Sequence, residues 1–289
     1  MDKITRRQFM QNSGLASAAL ITSSMPAVKM LSTKNSSIKF RLLRHATLLI
    51  EIGGKKILVD PMLSQKEAMD PVQNAGNSNR IPLVDLPIGE EELNKLLNET
   101  DAILITHTHR DHWDVAAQQQ ISKDKLIICQ PADEIKIKEE GFTSVQVIDK
   151  SWTWKGVQIY RTNGQHGTGE IGKLMGTVSG YVLVYKSDRL YIAGDTIWCS
   201  DVQEAVTTHQ STHIIVNGGG AQFLKGGPIT MTTDDVVKLS QFTKIKITVV
   251  HLETINHCLQ RRSDFKEAIT KNNLQSRVGI PADGEWTTI

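Results

Sequence analysis

The stretch His107-Thr108-His109-Arg110-Asp111-His112 follows the apolar run Ile103-Leu104-Ile105 and says more about this chain than any other segment. The apolar run predicts a strand. Side chains two residues apart in an extended segment point to the same side, so His107 and His109 can address one point. The chain then turns into a helix, from which Asp111 and His112 can address a second point nearby. Imidazole and carboxylate groups together suit zinc, manganese or iron, and α/β folds bind ligands at the carboxyl ends of strands.

Strands and helices are predicted on both sides of this stretch in two blocks of similar order. The first block has strands at 38–43, 46–52 and 56–60, then helices at 90–98, 112–120 and 131–140 alternating with strands at 102–106, 125–129 and 144–149. The second block has strands at 157–165, 178–186 and 189–194, then helices at 201–209, 232–242 and 263–272 alternating with strands at 212–216 and 245–250. Such alternation is typical of α/β folding. We expect one domain in which two similar halves pack sheet against sheet, with helices on the outer faces.

Two segments between these elements are predicted as loops. Residues 62–90 form a long polar segment that is either a lid or binding loop, or a surface excursion. Gly167-Thr168-Gly169-Glu170-Ile171-Gly172 matches a dinucleotide-binding spacing formally, but a strand is predicted after it where that motif requires a helix. We interpret this second segment as a flexible loop.

Composition disfavours several classes of protein. The chain has 289 residues, of which 39% are hydrophobic and 22% are charged, and this balance disfavours a disordered chain. No apolar run reaches the roughly 18 residues of a membrane-spanning helix. The three cysteines, Cys129, Cys199 and Cys258, form no CxxC pair, which argues against a disulfide framework or a cysteine-rich zinc site.

The first 27 residues are typical of an export signal. Thr5-Arg6-Arg7-Gln8-Phe9-Met10 is a twin-arginine pattern, and a weakly apolar stretch from Gly14 to Ile21 follows it. An ordinary basic amphipathic helix is the alternative. We predict a twin-arginine signal peptide over residues 1–27, with the twin-arginine translocase as a partner during export. The mature domain, residues 28–289, is then expected in the periplasm or outside the cell, with no membrane-spanning segment left.

Removal of residues 1–27 leaves a chain without net charge. That segment holds Lys3, Arg6 and Arg7 against Asp2, so the totals of 33 basic and 31 acidic side chains fall to 30 of each. A neutral protein lacks the positive field that binding to a phosphate backbone requires. The charge balance therefore disfavours nucleic acid as a partner and favours a small-molecule substrate.

The pattern H-x-H-x-D-H after an apolar strand resembles the signature of the metallo-β-lactamase superfamily. Further residues match that family in order: His166 on a later loop, Asp195 after the strand Leu190-Tyr191-Ile192, and His251 after the strand Ile247-Thr248-Val249-Val250. Arg44-His45-Ala46-Thr47 and Leu58-Val59-Asp60-Pro61 resemble the branch that contains sugar-phosphate lactonases and phospholipase-D-like proteins. The resemblance covers about residues 38–289 and implies a four-layer αββα sandwich.

The same resemblance implies a complete set of metal ligands. His107, His109 and His166 would bind a first metal ion; Asp111, His112 and His251 would bind a second; Asp195 would bridge the two. Asp111 and Asp195 are also the residues assigned to catalysis. The implied cofactors are two divalent metal ions, zinc first, with manganese or iron as alternatives. The implied reaction is hydrolysis by a hydroxide that bridges the two ions.

The substrate is less well defined by the sequence. Cys199 does not lie at a ligand position, so the cysteine ligand of the β-lactam-cleaving branch is absent. A small ester, lactone or phosphodiester is expected instead. The candidate substrate contacts are Arg80, Trp113, Trp198 and His257, and His45 either supports the metal ligands or has only a structural role.

Two other functions stay open at this point. A di-iron redox protein of related fold usually carries a flavin-binding partner domain, and it has a carboxylate where His109 stands here. Neither feature is present in this sequence. A non-catalytic metal-binding protein of the same fold is the second alternative, because a complete ligand set does not by itself demonstrate turnover.

Overall fold

Two seven-stranded sheets run through residues 37–289, which are the residues that the computed structural model describes. The first sheet contains β1 (Ile38–Arg44), β2 (Thr47–Ile52), β3 (Lys55–Val59), β4 (Ala102–Leu104), β5 (Leu126–Cys129), β6 (Val145–Val147) and β14 (Trp286–Thr288). The second contains β7 (Ser151–Trp154), β8 (Val157–Asn163), β9 (Ser179–Tyr185), β10 (Asp188–Ile192), β11 (His213–Asn217), β12 (Lys246–Val250) and β13 (Val278–Gly279). The predicted signal peptide, residues 1–27, lies outside the described residues.

Each sheet is antiparallel on one side and parallel on the other. In the first sheet β1, β2 and β3 pair antiparallel, whereas β3, β4, β5 and β6 pair parallel. In the second sheet β7 to β10 pair antiparallel, and β10 to β13 pair parallel. Parallel strands end at the same edge of a sheet. The segments after β3 and β4 therefore lie side by side in the first sheet, and the segments after β10, β11 and β12 lie side by side in the second.

Helices cover the outer face of each sheet. The helices of the described residues are α1 (Glu90–Glu99), α2 (Val115–Gln120), α3 (Glu134–Glu139), α4 (Gly169–Met175), α5 (Ser200–His209), α6 (Thr233–Phe242) and α7 (Arg262–Lys271). Side chains of α1, α2 and α3 pack on the first sheet, and side chains of α5, α6 and α7 pack on the second. The predicted αββα sandwich is confirmed. Among residues 37–289, no helix combines the length and the apolar character needed to cross a bilayer.

The period-two burial of the strands produces these layers. Side chains along a strand point alternately to opposite faces. In β3, for example, Ile57 and Val59 lie between the two sheets, while Leu58 lies beneath the helices of the first sheet. Phe40 from the first sheet and Tyr181 from the second are fully buried in the central layer. Burial of apolar surface stabilises a fold by about 25 cal/mol per Å².

Three predicted elements differ from those in the structure, and β13 and β14 were not predicted. The helix predicted at 112–120 begins as α2 only after Asp114, because the Asp114 carboxylate accepts a hydrogen bond from the Ala117 amide and caps the helix there. The helix predicted at 131–140 is divided into a 3₁₀ turn, Pro131–Asp133, and α3. The flexible loop predicted at 167–172 contains the start of α4, where the Gly172 amide donates to the Thr168 carbonyl.

The long polar segment 62–90 is anchored from beneath by a buried arginine. The Arg44 guanidinium is fully buried and donates hydrogen bonds to the carbonyl oxygens of Met62 (2.8 Å), Ser64 (2.9 Å) and Val84 (2.9 Å). Burial lowers the pKa of Arg44 to about 10, so the group keeps its charge at neutral pH. Three carbonyls held by one cation fix both ends of the segment, and this arrangement agrees with a binding loop better than with a surface excursion.

Gly180 in β9 makes a close backbone approach at the end of β10. A Cβ atom at this position would lie 2.6 Å from Thr162 Oγ1, 2.7 Å from the Ile192 carbonyl oxygen and 2.9 Å from the Ala193 carbonyl oxygen. Two of these three atoms belong to the backbone and cannot rotate away.

We therefore expect Gly180→Ala to lower the free energy of unfolding by about 1–3 kcal/mol, because the added methyl group overpacks a backbone contact. Gly76→Ala is the matched control, since a Cβ there meets nothing within 4 Å, and its effect should stay within about 0.5 kcal/mol. Urea denaturation of the two variants and the parent measures both values. Equal stability of all three proteins would contradict the close approach.

Candidate metal centre

The seven predicted metal ligands converge at the edge where the two sheets end. Their ligating atoms form overlapping groups in which all members lie within 4.8 Å of one another: His107, His109 and His166; His107, His112 and Asp195; and His45, Asp111, His112 and His251. The first group and the last correspond to the two ligand sets that the resemblance implies. The structure adds His45 to the second set.

Asp195 lies at the middle of the cluster. Its Oδ2 atom is 3.2 Å from His112 Nε2, 3.6 Å from His166 Nε2 and 4.0 Å from His107 Nε2. Its Oδ1 atom is 3.5 Å from His251 Nε2. One carboxylate thus faces imidazoles of both ligand sets, as a bridging ligand must.

Two ring nitrogens in this cluster have no hydrogen-bond partner, and two others have only each other. His112 Nε2 and His251 Nε2 are buried without a hydrogen-bond partner, although both face the carboxylates. His107 Nε2 and His109 Nδ1 lie 2.9 Å apart and point at each other. Orphaned imidazole nitrogens beside carboxylate oxygens are the donor set that zinc, manganese and iron accept, so the residues present fit divalent metal ions.

The opposite edges of these rings are held by protein groups. His112 Nδ1 donates to Asp60 Oδ2 at 2.9 Å, and Asp60 in turn accepts bonds from the Thr106 amide and hydroxyl at 2.8 and 2.7 Å. His166 Nδ1 donates to the Ile229 carbonyl at 2.8 Å. Such partners fix the tautomer and the orientation of a metal-binding imidazole. Asp60 was noticed in the sequence only as part of a motif.

Asn217 holds the bridging carboxylate and was missed by the sequence analysis. Its Nδ2 donates to Asp195 Oδ1 at 2.7 Å, and the residue is buried at the end of β11. Its position, closing a strand at the same sheet edge as Asp195 and His251, is the signal that identifies it.

His45 supports the second ligand set directly. Its ring centroid lies 3.7 Å from that of His251, and its Nε2 donates to Asp111 Oδ2 at 3.2 Å. Burial lowers the pKa of His45 to about 3, so the ring is neutral. His45 and His251 both adopt left-handed backbone conformations, with φ of 60° and 65°, and the His251 amide donates to the His45 carbonyl. Strained backbone of this kind clusters at functional sites.

The carboxylates and imidazoles of the cluster shift each other's pKa in opposite directions. Burial alone would lower the pKa of His112, but the carboxylates of Asp195, Asp111 and Asp60 raise it well above its ordinary value. Burial would raise the pKa of Asp195, whereas His112 and His251 hold it well below its ordinary value. The Asp195 and Asp111 carboxylates therefore stay ionised and require positive charge beside them, which metal ions would supply in a loaded protein.

A cavity of about 190 Å³ opens onto these ligands, and we call it the site cavity. It is lined by Val72, His109, Arg110, Asp111, His166, Met175, Asp195, Phe223, Ile229 and His257. Its walls are apolar where they are not metal ligands, except at Arg110 and His257. The sequence analysis missed Val72, Met175, Phe223 and Ile229, because these residues belong to no motif.

The four predicted substrate contacts are not brought together. His257 lines the site cavity. Arg80 is exposed, forms an ion pair with Asp70 and donates to the carbonyls of Glu67 (2.8 Å) and Ala68 (3.0 Å) within its own loop. It is therefore committed to loop structure and does not line the cavity.

The two predicted tryptophan contacts lie in helix-covered layers. Trp113 is buried under the helices of the first sheet, against Phe142, because it points away from the side on which His112 meets the metal ligands. Trp198 packs against Phe242 with a ring-centroid separation of 5.3 Å. Within the 62–90 segment, Met62 and Ile81 are fully buried against Ile255. Proximity in sequence to a ligand did not place these side chains in the cavity.

The 62–90 segment supplies one wall of the site cavity through Val72. Asn256 fastens this wall: its Oδ1 accepts from the Val72 amide at 2.9 Å, and its Nδ2 donates to the carbonyls of Val72 (3.1 Å) and Asn77 (2.9 Å). Asn256 precedes His257, so one short stretch of chain holds Val72 in place and supplies another residue of the cavity lining.

Comparison with known proteins gives consistent matches. A family profile described as "Beta-lactamase superfamily domain" matches residues 39–250. The UPF0173 protein YddR of Bacillus subtilis is 34% identical over 251 residues, which cover 85% of this chain and 98% of that protein.

Two solved structures match most of the chain. The isothiocyanate hydrolase from Delia radicum gut bacteria superposes with a TM-score of 0.82 at 35% identity, covering 87% of this chain and 99% of that one. A possible metal-dependent hydrolase from Veillonella parvula superposes with a TM-score of 0.83 at 33% identity, covering 88% and 100%.

The Asp60 contact leads to a test of the metal centre. Asp60→Asn should weaken binding of the ion that His112 holds by about 10–100-fold, because the amide cannot orient the His112 ring as the carboxylate does. Zinc affinity is measured by competition with a chromogenic chelator. Asp124→Asn, at an exposed site away from the cluster, is the control and should bind zinc like the parent. Parental zinc affinity in Asp60→Asn would contradict the role given to this carboxylate.

Proposed function

The chain belongs to the metallo-β-lactamase superfamily and is a metal-dependent hydrolase of that fold; from this premise we propose that it uses two metal ions to hydrolyse a small, uncharged electrophile. Isothiocyanates are the first candidates among such substrates. The observation that carries the proposal is the central position of Asp195 between two histidine-rich ligand sets.

The ligand arrangement supports a dinuclear centre. His107, His109 and His166 would hold one ion, and Asp111, His112 and His251 the other, with Asp195 between them. Two divalent ions held by these residues would lower the pKa of a water molecule and so supply hydroxide for the attack. Within this chain, Asp60, Asn217 and the Ile229 carbonyl orient the ligands.

The lining of the site cavity supports an uncharged substrate. Arg110 is the sole cationic side chain among the described residues that line it, and Arg80 is paired with Asp70 elsewhere. A phosphodiester would find one guanidinium at most. Val72, Met175, Phe223 and Ile229 offer apolar contacts that suit the hydrocarbon part of a small ester, lactone or isothiocyanate.

The similarity to an isothiocyanate hydrolase adds a specific candidate to this range. That protein is 35% identical to this chain over nearly its whole length. An isothiocyanate carries an electrophilic carbon between nitrogen and sulfur, and its organic group can be purely apolar. Its size and lack of charge agree with a cavity of about 190 Å³ with apolar walls.

A substrate panel tests the proposal. The zinc- or manganese-loaded chain is assayed with benzyl isothiocyanate, p-nitrophenyl acetate, a γ-lactone and bis(p-nitrophenyl) phosphate, and its metal content is measured by elemental analysis. We expect two ions per chain and a kcat/KM for benzyl isothiocyanate about tenfold or more above that for the phosphodiester, because the small cavity with apolar walls suits the benzyl group better than two nitrophenyl groups on a phosphate.

Arg80→Ala is the matched control for that panel and should leave every KM within about twofold, because its guanidinium serves the loop. Chelation of the metal should abolish hydrolysis. A loaded chain that hydrolyses no member of the panel would refute the proposed function, and a phosphodiester as the preferred substrate would refute the preference for uncharged molecules.

We further propose that residues 1–27 direct export by the twin-arginine translocase to the periplasm or outside the cell. The support is the pattern Thr5-Arg6-Arg7-Gln8-Phe9-Met10 with the weakly apolar stretch that follows it. Export in the folded state would suit an enzyme that must acquire its metal ions before it crosses the membrane.

Changing Arg6 and Arg7 together to Lys keeps the charge and removes the twin-arginine pattern. We expect this variant to stay in the cytoplasm with its N-terminus uncleaved, as measured by cell fractionation and intact-mass analysis. Lys3→Arg is the control and should be exported and processed like the parent. Normal processing of the double variant would show that another route is used.

A further inference from the structure

The site cavity contains one buried polar side chain that the metal centre does not use. His257 lines the cavity and is only 5% exposed. Its Nδ1 atom is fully buried without a hydrogen-bond partner. Its Nε2 atom, which is not enclosed in this way, also bonds to no described residue and is the nitrogen available to a ligand in the cavity. Buried polar groups are nearly always paired, so an unpaired one that faces a cavity points to a ligand as its partner.

The ring of His257 is held in a defined plane. It stacks on Phe223 with a centroid separation of 5.3 Å and an interplanar angle of 19°. The His257 carbonyl accepts a hydrogen bond from the Gln222 amide at 2.9 Å. The side chain of the preceding Asn256 makes three hydrogen bonds with the 62–90 segment. The unpaired imidazole therefore has a fixed position beside the metal ligands.

The metal ligands differ from His257 in this respect. For His112 and His166, the nitrogen that faces away from the cluster is bonded to Asp60 or to the Ile229 carbonyl. His257 has no such partner, which separates it from the ligand sets. Burial lowers the pKa of His257 to about 4, with weaker effects from Asp111, His251 and Asp195, so the ring is neutral near pH 7. A neutral imidazole has one nitrogen that donates and one that accepts a proton.

We propose that His257 is a catalytic residue that contacts the substrate and carries a proton to the heteroatom leaving the attacked carbon. This inference rests on the proposed function. In an isothiocyanate, the oxygen of one water molecule bonds to the central carbon and ends doubly bonded to it, while both electron pairs of the carbon–nitrogen double bond pass to nitrogen. The nitrogen takes both protons of the water, one of them through His257. The products are the amine and carbonyl sulfide, and the imidazole returns to its neutral form.

The role predicts a dependence on the leaving group that a structural histidine would not show. An alkyl amine or alkoxide must be protonated as it leaves, whereas p-nitrophenolate leaves without a proton. Loss of the imidazole should therefore slow benzyl isothiocyanate hydrolysis much more than p-nitrophenyl acetate hydrolysis.

The variants for this test are His257→Phe, which keeps a ring for stacking on Phe223, and His257→Gln, which keeps an amide donor without proton transfer. His209→Gln is the control, because His209 lies at the end of α5 and contacts Tyr160 away from the site cavity. All proteins are loaded with zinc, and metal content and melting temperature are recorded beside the kinetics.

For both His257 variants we expect kcat for benzyl isothiocyanate to fall about 100-fold, with KM changed by less than about threefold. Hydrolysis of p-nitrophenyl acetate should fall by less than about threefold, and metal content should stay at the parental value. The glutamine variant keeps the test valid if the phenylalanine variant does not fold. Parental kcat in both variants, or equal losses on the two substrates, would overturn the proposal.

A binding measurement provides a readout independent of turnover. In the zinc-loaded protein labelled with ¹⁵N-histidine, the imidazole signals of His257 are assigned by their absence from the His257→Phe spectrum. Addition of N-benzylthiourea should shift these signals, because the thiourea places nitrogen and sulfur where a substrate would. Unshifted His257 signals at saturating thiourea would overturn the contact. A parent protein inactive on the whole substrate panel would refute the proposed function and this inference with it.

Discussion

The carboxylate of Asp195 lies buried among the imidazoles of His107, His112, His166 and His251, and the surrounding structure accommodates this concentration of charge. An isolated ion in such a place would be strongly unfavourable, so each charged group needs a partner within a few ångströms. Within the cluster, carboxylates and imidazoles are partners of one another. Asp60, Asn217 and the Ile229 carbonyl form hydrogen bonds with the ligands from outside the cluster. The site is therefore one electrostatic unit, and changes at one member affect the protonation of the others.

The sandwich makes this unit possible because two sheets end at the same edge. Each sheet contributes ligands directly after its strands: the segment after β4 carries four of them, and the segments after β10 and β12 carry Asp195 and His251. Strand ends are rigidly placed by their hydrogen-bonded neighbours, whereas the loops that follow them need no regular structure. The αββα architecture thus combines an exact placement of metal ligands with freedom in the residues that surround a substrate.

The strands and the cluster His107 to His112 could be predicted from local signals in the sequence, and the resemblance to the metallo-β-lactamase superfamily added His166, Asp195 and His251. Period-two burial defines the strands, and each ligand follows a strand by a few residues. The substrate contacts could not be predicted in the same way. Arg80 and Trp113 lie near informative segments in sequence, but Asp70 and Phe142 determine where their side chains point. Val72 and Phe223 reach the cavity only through tertiary contacts, and no motif marks them.

The four hydrogen bonds that join Asn256 to Val72 and Asn77 have a consequence for the choice of substrate. They attach the 62–90 segment to the stretch of chain between His251 and His257. The cavity wall that contains Val72 therefore has a fixed position relative to the metal ligands, although the segment supplies no ligand itself. Substitutions in this segment that leave Val72, Asn77 and Asn256 unchanged are therefore expected to change the lining of the cavity without moving the metal ligands.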